Sequence, residues 1–144
     1  MRIDKMQAVL KALDQSNTVS FRKLGIASDE IASIMELVKQ SNAKKTIQSI
    51  SFSYNPLLGD IGAITIANNL PELISEIGLV GCEIGDAGAR VLINKIEDLP
   101  NLRMLCIEQN KLSESVKDQF KRFSDNNSPV IVVVQRNFIC QMSN

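Results

Sequence analysis

One phrase of nine residues recurs along this chain at a nearly constant step, and this repeat limits the possible folds more than any other feature. Two copies read "IQSISFSYN" at residues 47–55 and "ISEIGLVGC" at residues 74–82. Apolar residues hold the first, fourth and sixth places, and the ninth place is Asn or Cys. The template also fits residues 102–110 and 129–137, and it fits residues 21–29 with Asp in the ninth place. The five copies start 26 to 28 residues apart, which indicates a stack of similar units.

The first part of each unit has the pattern of a short strand that ends in a buried corner. Because successive side chains of a strand point to opposite faces, we expect the fourth and sixth places to face a core. After the strand the chain must turn inside the stack, where backbone groups cannot reach water. An Asn side chain offers such groups both donors and an acceptor. We therefore expect Asn55, Asn110 and Asn137 to bond the backbone at successive corners, with Cys82 as a smaller, weaker donor.

The second part of each unit has helical spacing, with apolar residues three and four apart. Asp60 and Asp86 precede or open two of these stretches, where a carboxylate can cap the free N–H groups of its own helix. Gly62 and Gly88 are small enough for close packing at the bend.

The length of 144 residues is that of a single domain with one core, which we place at residues 1–144. Apolar residues form one helical stripe within residues 3–14, so residues 1–18 are expected to be an N-terminal capping helix and the turn after it. Residues 19–144 are assigned to the repeats.

The phrase and its period resemble the leucine-rich repeat pattern, L-x-x-L-x-L-x-x-N/C-x-L. The long period and the "IGDxGA" opening of the helical part are similar to the ribonuclease-inhibitor-like subfamily, over about 125 of the 144 residues. This resemblance implies an α/β solenoid, a horseshoe segment of about five strand–helix units, with a parallel sheet on its concave face.

Composition argues against several classes of function. Lys plus Arg and Asp plus Glu number 16 each, so no overall field favours nucleic acid or anionic lipid as a partner. The chain has no His, which excludes Ser-His-Asp and Cys-His mechanisms and a His-ligated zinc site. No other spacing points to a catalytic pair. We therefore expect a non-enzyme that needs no cofactor or metal.

The three cysteines, Cys82, Cys106 and Cys140, are odd in number and widely spaced, which is typical of thiols in a reducing compartment. The first residues are unlike a secretory signal, and no window is long and apolar enough for a membrane span. The expected location is the cytoplasm. Small proteins with such units are also similar to leucine-rich-repeat effectors of bacterial pathogens, for which the location would be the host cytosol.

A solenoid of this kind presents the third, fifth, seventh and eighth places of each phrase on its concave face, and the resemblance implies that this face binds a protein. In the first phrase these places are Lys23, Gly25, Ala27 and Ser28. Aromatic, Arg and acidic side chains are the best candidates for anchors, and we predict that they remain exposed. The predicted binding residues are Tyr54, Ser51, Ser53, Glu76, Met104, Cys106, Glu108, Gln109, Gln135 and Arg136.

Two alternatives stay open. One family with this type of repeat regulates a small GTPase, and here residues beside Arg90 or Arg103 would have to supply the contact. The last strand, "VIVVV", is apolar on both faces, so the chain is either a monomer whose tail shields this edge or a weak homodimer paired through it.

Overall fold

The computed structural model describes residues 1–127 and 129–135, in which five short parallel strands alternate with helices. The strands form one sheet in chain order, without crossovers. They are β1 (Thr18–Ser20), β2 (Ser49–Ser51), β3 (Glu76–Gly78), β4 (Met104–Cys106) and β5 (Ile131–Val133). The helices are α1 (Ile3–Leu13), α2 (Ile31–Asn42), which follows a 3-10 turn at Ser28–Glu30, α3 (Gly59–Ala67), α4 (Asp86–Ile96) and α5 (Glu114–Asn126). The expectation of an α/β fold with a parallel sheet is confirmed.

The core lies between the sheet and helices α2 to α5. The middle residue of every strand is buried and its neighbours point to the opposite face, as period-two alternation requires. These middle residues are in register across the sheet: Val19, Ile50, Ile77, Leu105 and Val132. The buried stripes of the helices belong to the same cluster. Next to the strands, the rings of Phe21 and Phe52 lie 5.0 Å apart between their centroids.

Asn55 ties the corner of its own unit to the corner of the unit before it. Its side-chain Nδ2 donates to the carbonyl of Phe52 at 2.7 Å and to that of Phe21 at 3.0 Å. Its Oδ1 accepts from the backbone N–H groups of Leu24 at 3.2 Å and Ile26 at 3.0 Å. One fully buried amide therefore satisfies four backbone groups that have no water within reach.

Asn110 repeats this arrangement two units later. Its Nδ2 donates to the carbonyl of Leu79 at 2.7 Å and to that of Ile107 at 3.0 Å. Its Oδ1 accepts from the N–H groups of Cys82 at 3.0 Å and Ile84 at 2.9 Å. The predicted corner bonds are thus confirmed for two of the three Asn residues, and the third, Asn137, lies outside the described residues.

Cys82 stands at a corner where two other units have Asn. This corner requires a side-chain donor, but the N–H groups of the loop that it faces bond backbone carbonyls instead of a side-chain oxygen. Its Sγ donates to the carbonyl of Phe52 at 3.2 Å, the position that Asn Nδ2 would serve. The loop that it faces contains Pro56, whose nitrogen carries no hydrogen. In that loop the Leu58 N–H bonds the carbonyl of Asn55 at 3.1 Å, and the Gly59 N–H bonds the carbonyl of Cys82 at 3.0 Å. Because the carbonyls of Asn55 and Cys82 accept from these two N–H groups, the corner needs no side-chain acceptor, and a thiol is sufficient.

The first phrase is displaced by five residues from the predicted position. Thr18 pairs with Ser49, so the phrase begins at residue 16 and not at residue 21. Phe21, taken as the first place, is the sixth: it is buried against Phe52, and its N–H bonds the carbonyl of Ser51 at 2.8 Å. The first unit is longer than the others, and a template with a constant step placed its apolar residues in the wrong register.

Consequently the four residues predicted on the first strand do not lie there. Lys23 and Gly25 occupy the turn after it, with φ of 57° and 66°. Ala27 and Ser28 lie at the entry to the 3-10 turn.

The carboxylates of Asp60 and Asp86 bond the next helix and not their own, which corrects the capping prediction. Asp60 Oδ1 accepts from the N–H of Gly85 at 2.7 Å and from that of Gly88 at 3.0 Å, at the start of α4. Asp86 Oδ1 accepts from the N–H of Ser113 at 2.9 Å, just before α5, and this bond lowers the pKa of Asp86. Each acidic side chain therefore joins one unit to the next.

Gly62 and Gly88 confirm the prediction that small residues permit close packing. A Cβ at Gly88 would lie 2.8 Å from Asp60 Oδ1 and 3.1 Å from the Cβ of Ala63, and one at Gly62 would lie 2.6 Å from Leu58 Cγ.

Helix α1 covers the first strand and is attached to the first unit by Lys5. The Lys5 ammonium lies 3.0 Å from Glu30 Oε1 and also donates to the carbonyl of Gly25 at 2.9 Å. Glu30 Oε1 in turn accepts from the N–H of Ala27 at 2.9 Å. The bond from Ala27, and after it the contact with Lys5, lower the pKa of Glu30.

We predict that Asn110→Ala lowers the free energy of unfolding by about 3 kcal/mol, because buried N–H and carbonyl groups of two units lose their partner. Asn94→Ala is the matched control, since Asn94 lies exposed on α4 and should change stability by less than about 0.5 kcal/mol. Urea unfolding followed by circular dichroism measures both. Equal stability of the two variants would contradict the role assigned to the corner amide.

Candidate functional site

One face of the sheet is covered by none of the described helices. We call it the open face and define it by the first and last residue of each strand and by the two residues in the seventh and eighth places of each phrase. Because neighbouring strands are about 4.8 Å apart, equivalent residues form rows across the sheet. The row at the seventh place comprises Arg22, Ser53, Val80, Glu108 and Gln135.

Tyr54 is the aromatic centre of the open face. The Arg22 guanidinium lies 4.9 Å from the centroid of its ring, and Lys23 Nζ lies 5.4 Å from it. Both distances are within the range of cation–π attraction, worth about 0.5–1 kcal/mol at exposed sites. A Cβ at Gly81 would come within 3.0 Å of the Tyr54 ring, so the ring rests against bare backbone. Tyr54 itself has φ of 63°, a left-handed turn that Lys23, Gly81 and Gln109 share at the same place of their phrases.

Arg22 was not among the predicted site residues. The displaced register of the first phrase hid it, because residue 22 was read as a second place and not as a seventh. The apolar Phe21 beside it was the signal for the correct alignment, since it fills the sixth place as Phe52 does.

Glu108 departs most from its predicted environment. It was expected to remain exposed, but only 3% of its surface is accessible. Its Oε1 has no hydrogen-bond partner among the described residues. The backbone of Glu108 is well bonded, since its carbonyl accepts from the N–H of Gly81 at 3.1 Å. A buried carboxylate oxygen without a donor costs folding free energy, so Oε1 does not stabilise the described part of the fold.

Glu108 lines a recess of about 380 Å³ on the open face, which we call the polar recess. Its wall and floor also include Arg22, Ser51, Ser53, Tyr54 and Gly78. Gly78 deepens the floor because it has no side chain: a Cβ there would lie 2.9 Å from Ser51 Oγ and 3.1 Å from Ser53 Oγ. The recess therefore combines one cation, one aromatic ring, two hydroxyls and one buried carboxylate, and Val80 and Cys106 complete its lining.

Ser53 is also less available than predicted. It is 6% exposed, and its Oγ accepts from the N–H of Val80 at 3.1 Å. Ser51 is half-buried, and its Oγ accepts from the N–H of Ser53 at 3.2 Å. The two hydroxyls are part of the floor of the polar recess and not projecting contacts.

The other predicted residues occupy the open face at varying depth. Glu76 and Met104 are exposed at the start of β3 and β4, and Gln109 and Gln135 are exposed in the turns or segments that follow their strands. Cys106 is half-buried at the end of β4. Arg136 lies outside the described residues.

Other predicted features lie away from the open face or are only partly described. Arg90 is exposed on α4, and Arg103 is exposed just before β4. In the last strand Ile131 is 52% exposed and Val132 is 9% exposed. Of the tail that was expected to shield this edge, residues 138–144, none is among the described residues.

No group of three or more Cys, Asp or Glu side chains suited to a metal ion is found in residues 1–127 and 129–135. No helix in the described part of the chain is both long and apolar enough to cross a membrane. Cys82 is fully buried, and its removal from water raises the pKa of its thiol.

Comparison with known proteins gives a likeness of fold alone. No family model matches the sequence. No curated protein matches it significantly. Among solved structures, the chain is similar to the actin-binding site 2 of leiomodin-1, with a TM-score of 0.70 and 12% identity, over 99% of this chain and 86% of that one.

We predict that Glu108→Leu raises the free energy of unfolding by about 1 kcal/mol, because it removes a buried carboxylate whose Oε1 is unpartnered and keeps a similar volume. Glu76→Leu, at an exposed position of the same face, is the control and should leave stability within about 0.5 kcal/mol of the original. Chemical unfolding of the three proteins under one set of conditions provides the comparison. A clear loss of stability in Glu108→Leu would mean that the carboxylate has a structural partner.

Proposed function

We propose that this chain is a non-catalytic protein-binding module of the leucine-rich repeat type, similar to the ribonuclease-inhibitor-like subfamily, and that it captures a protein partner on the open face. In this proposal the open face is the concave side of a solenoid segment. The repeat phrase, the parallel sheet in chain order and the corner amides support the assignment of the repeat type.

The observation that carries the proposal is the cluster of Tyr54 and Arg22 in the wall of the polar recess. Tyr and Arg are enriched among residues that dominate binding energy at protein interfaces. The two side chains hold each other in place through the cation–π contact, so less conformational entropy is lost when a partner binds. The recess offers polar groups that set orientation and specificity.

A protein is the best fit to this surface because the polar recess is a shallow part of a wider open face. Rows of side chains run across five strands, from exposed Thr18 on β1 to exposed Ile131 on β5. An extended face of this kind suits the many distributed contacts of a protein interface.

The proposal predicts that Tyr54→Asn loses the partner while Arg90→Ala retains it. Asn tolerates the left-handed backbone that Tyr54 adopts, so this change removes the ring with little strain. Arg90 is exposed on α4, away from the open face, and controls for general loss of charge. Affinity capture from lysates with all three proteins identifies the partners that depend on Tyr54.

The dissociation constant of a purified captured protein then provides the quantitative test. We expect binding to Tyr54→Asn to be about tenfold to thirtyfold weaker than to the original chain, equivalent to about 1.4–2 kcal/mol. Equal affinity of the original chain and Tyr54→Asn would exclude the open face as the binding surface.

A further inference from the structure

We propose that the polar recess receives a lysine side chain from the protein partner, and that the Glu108 carboxylate turns toward the recess to accept from its ammonium group. This inference rests on the proposed function and adds the chemistry of the partner. Its starting point is that Glu108 is 3% exposed and that its Oε1 has no donor among the described residues. Glu108 lines the recess, and a carboxylate that lacks a donor is complementary to a cationic N–H group.

No cation among residues 1–127 and 129–135 forms an ion pair with Glu108. Arg22 lines the same recess, but it lies over the Tyr54 ring and forms no ion pair with Glu108. The two residues occupy the same place in phrases three strands apart, which separates their backbones by roughly 14 Å. The recess thus has a positive end at Arg22 and a negative end at Glu108.

The two serine hydroxyls of the recess can each accept a hydrogen bond from an ammonium group. Ser51 Oγ and Ser53 Oγ each accept one backbone N–H, and a hydroxyl oxygen can accept twice. Each hydroxyl therefore keeps one acceptor position for a donor that enters the recess. The absence of a side chain at Gly78 provides the space above these oxygens.

A lysine within a peptide is favoured over a free amine because the open face offers contacts on both sides of the recess. Tyr54 and exposed Met104 flank the open face and can contact a chain on either side of the inserted side chain. The long lysine stem would pass these apolar surfaces while its charged end reaches Glu108.

The test uses synthetic extended nonapeptides with degenerate flanks and one fixed central residue, either Lys, norleucine, Gln or Glu. Peptides retained by the immobilised chain are sequenced, and the dissociation constants of an enriched Lys peptide and its norleucine analogue are measured by fluorescence polarisation. The proteins compared are the original chain, Glu108→Gln and the matched control Glu76→Gln, which removes an exposed charge from the same face.

We expect the Lys peptide to bind the original chain and Glu76→Gln at least tenfold more tightly than its norleucine analogue. In Glu108→Gln this ratio should fall to within about twofold of unity. Gly78→Ala gives a second route to the same result, since its Cβ would lie 2.9 Å from Ser51 Oγ and narrow the recess without touching Glu108. Thermal unfolding of each variant verifies that it is folded.

Several outcomes would overturn the inference. If the preference for Lys survives in Glu108→Gln, or is lost equally in Glu76→Gln, then general electrostatics and not Glu108 causes it. If n-butylammonium binds as tightly as the Lys peptide, then the ligand of the recess is a free amine and not a segment of a protein. Enrichment of peptides without a Lys preference would remove the lysine assignment and leave the proposed function standing, whereas no binding of any peptide or captured protein would remove both.

Discussion

The hydrogen bonds from Asn side chains to the backbone of the preceding unit are the constraint on which this structure depends. Each strand has only three residues, and the backbone bonds between neighbouring units continue into the turns that follow the strands. A strand of this length cannot hold a unit in place by itself. At the corner, Asn55 and Asn110 each satisfy backbone groups of two successive units with one buried or half-buried amide. The register of the sheet and the position of every residue on the open face follow from these corners.

Polar links on the helical side reinforce the same stacking. Asp60 bonds the start of α4, and Asp86 bonds the segment before α5, so each carboxylate belongs to one unit and acts on the next. At the beginning of the stack, Lys5 joins α1 to Glu30. The bond from the Ala27 N–H, and after it the contact with Lys5, lower the pKa of Glu30. These contacts therefore contribute stability above the ordinary glutamate pKa, and the contribution is lost as the pH falls through the lowered pKa of the folded state. Consecutive units are thus joined at both ends of their helices as well as through the sheet.

The parts of the structure that recur were predictable from the sequence, and the parts that break the recurrence were not. Asn55, Cys82 and Asn110 were identified as corner residues because buried backbone groups demand such side chains wherever the phrase occurs. The first phrase was misplaced because the first unit is longer than the rest and Phe21 fits two places of the template. The capping partners of Asp60 could not be predicted, since a carboxylate near a helix start can serve its own helix or the next one.

The candidate site illustrates the same limit. A strand pattern assigns Glu108 to the open face, but how deep it lies depends on its neighbours across the sheet, and its exposed fraction is only 3%. Its Oε1 has no hydrogen-bond partner in the described part of the chain. In the proposed function this residue serves a partner at a cost in stability, which is a common relation between binding sites and the folds that hold them.

Amide hydrogen exchange at Cys82 and Ile84 tests most directly whether corner amides hold the units together. Neither residue lies in a strand, and both N–H groups bond Asn110 Oδ1, at 3.0 Å and 2.9 Å. We expect their protection to equal that of the amide of Leu105 in the middle of β4. Exchange of these two amides at the rate of an exposed loop would contradict the account.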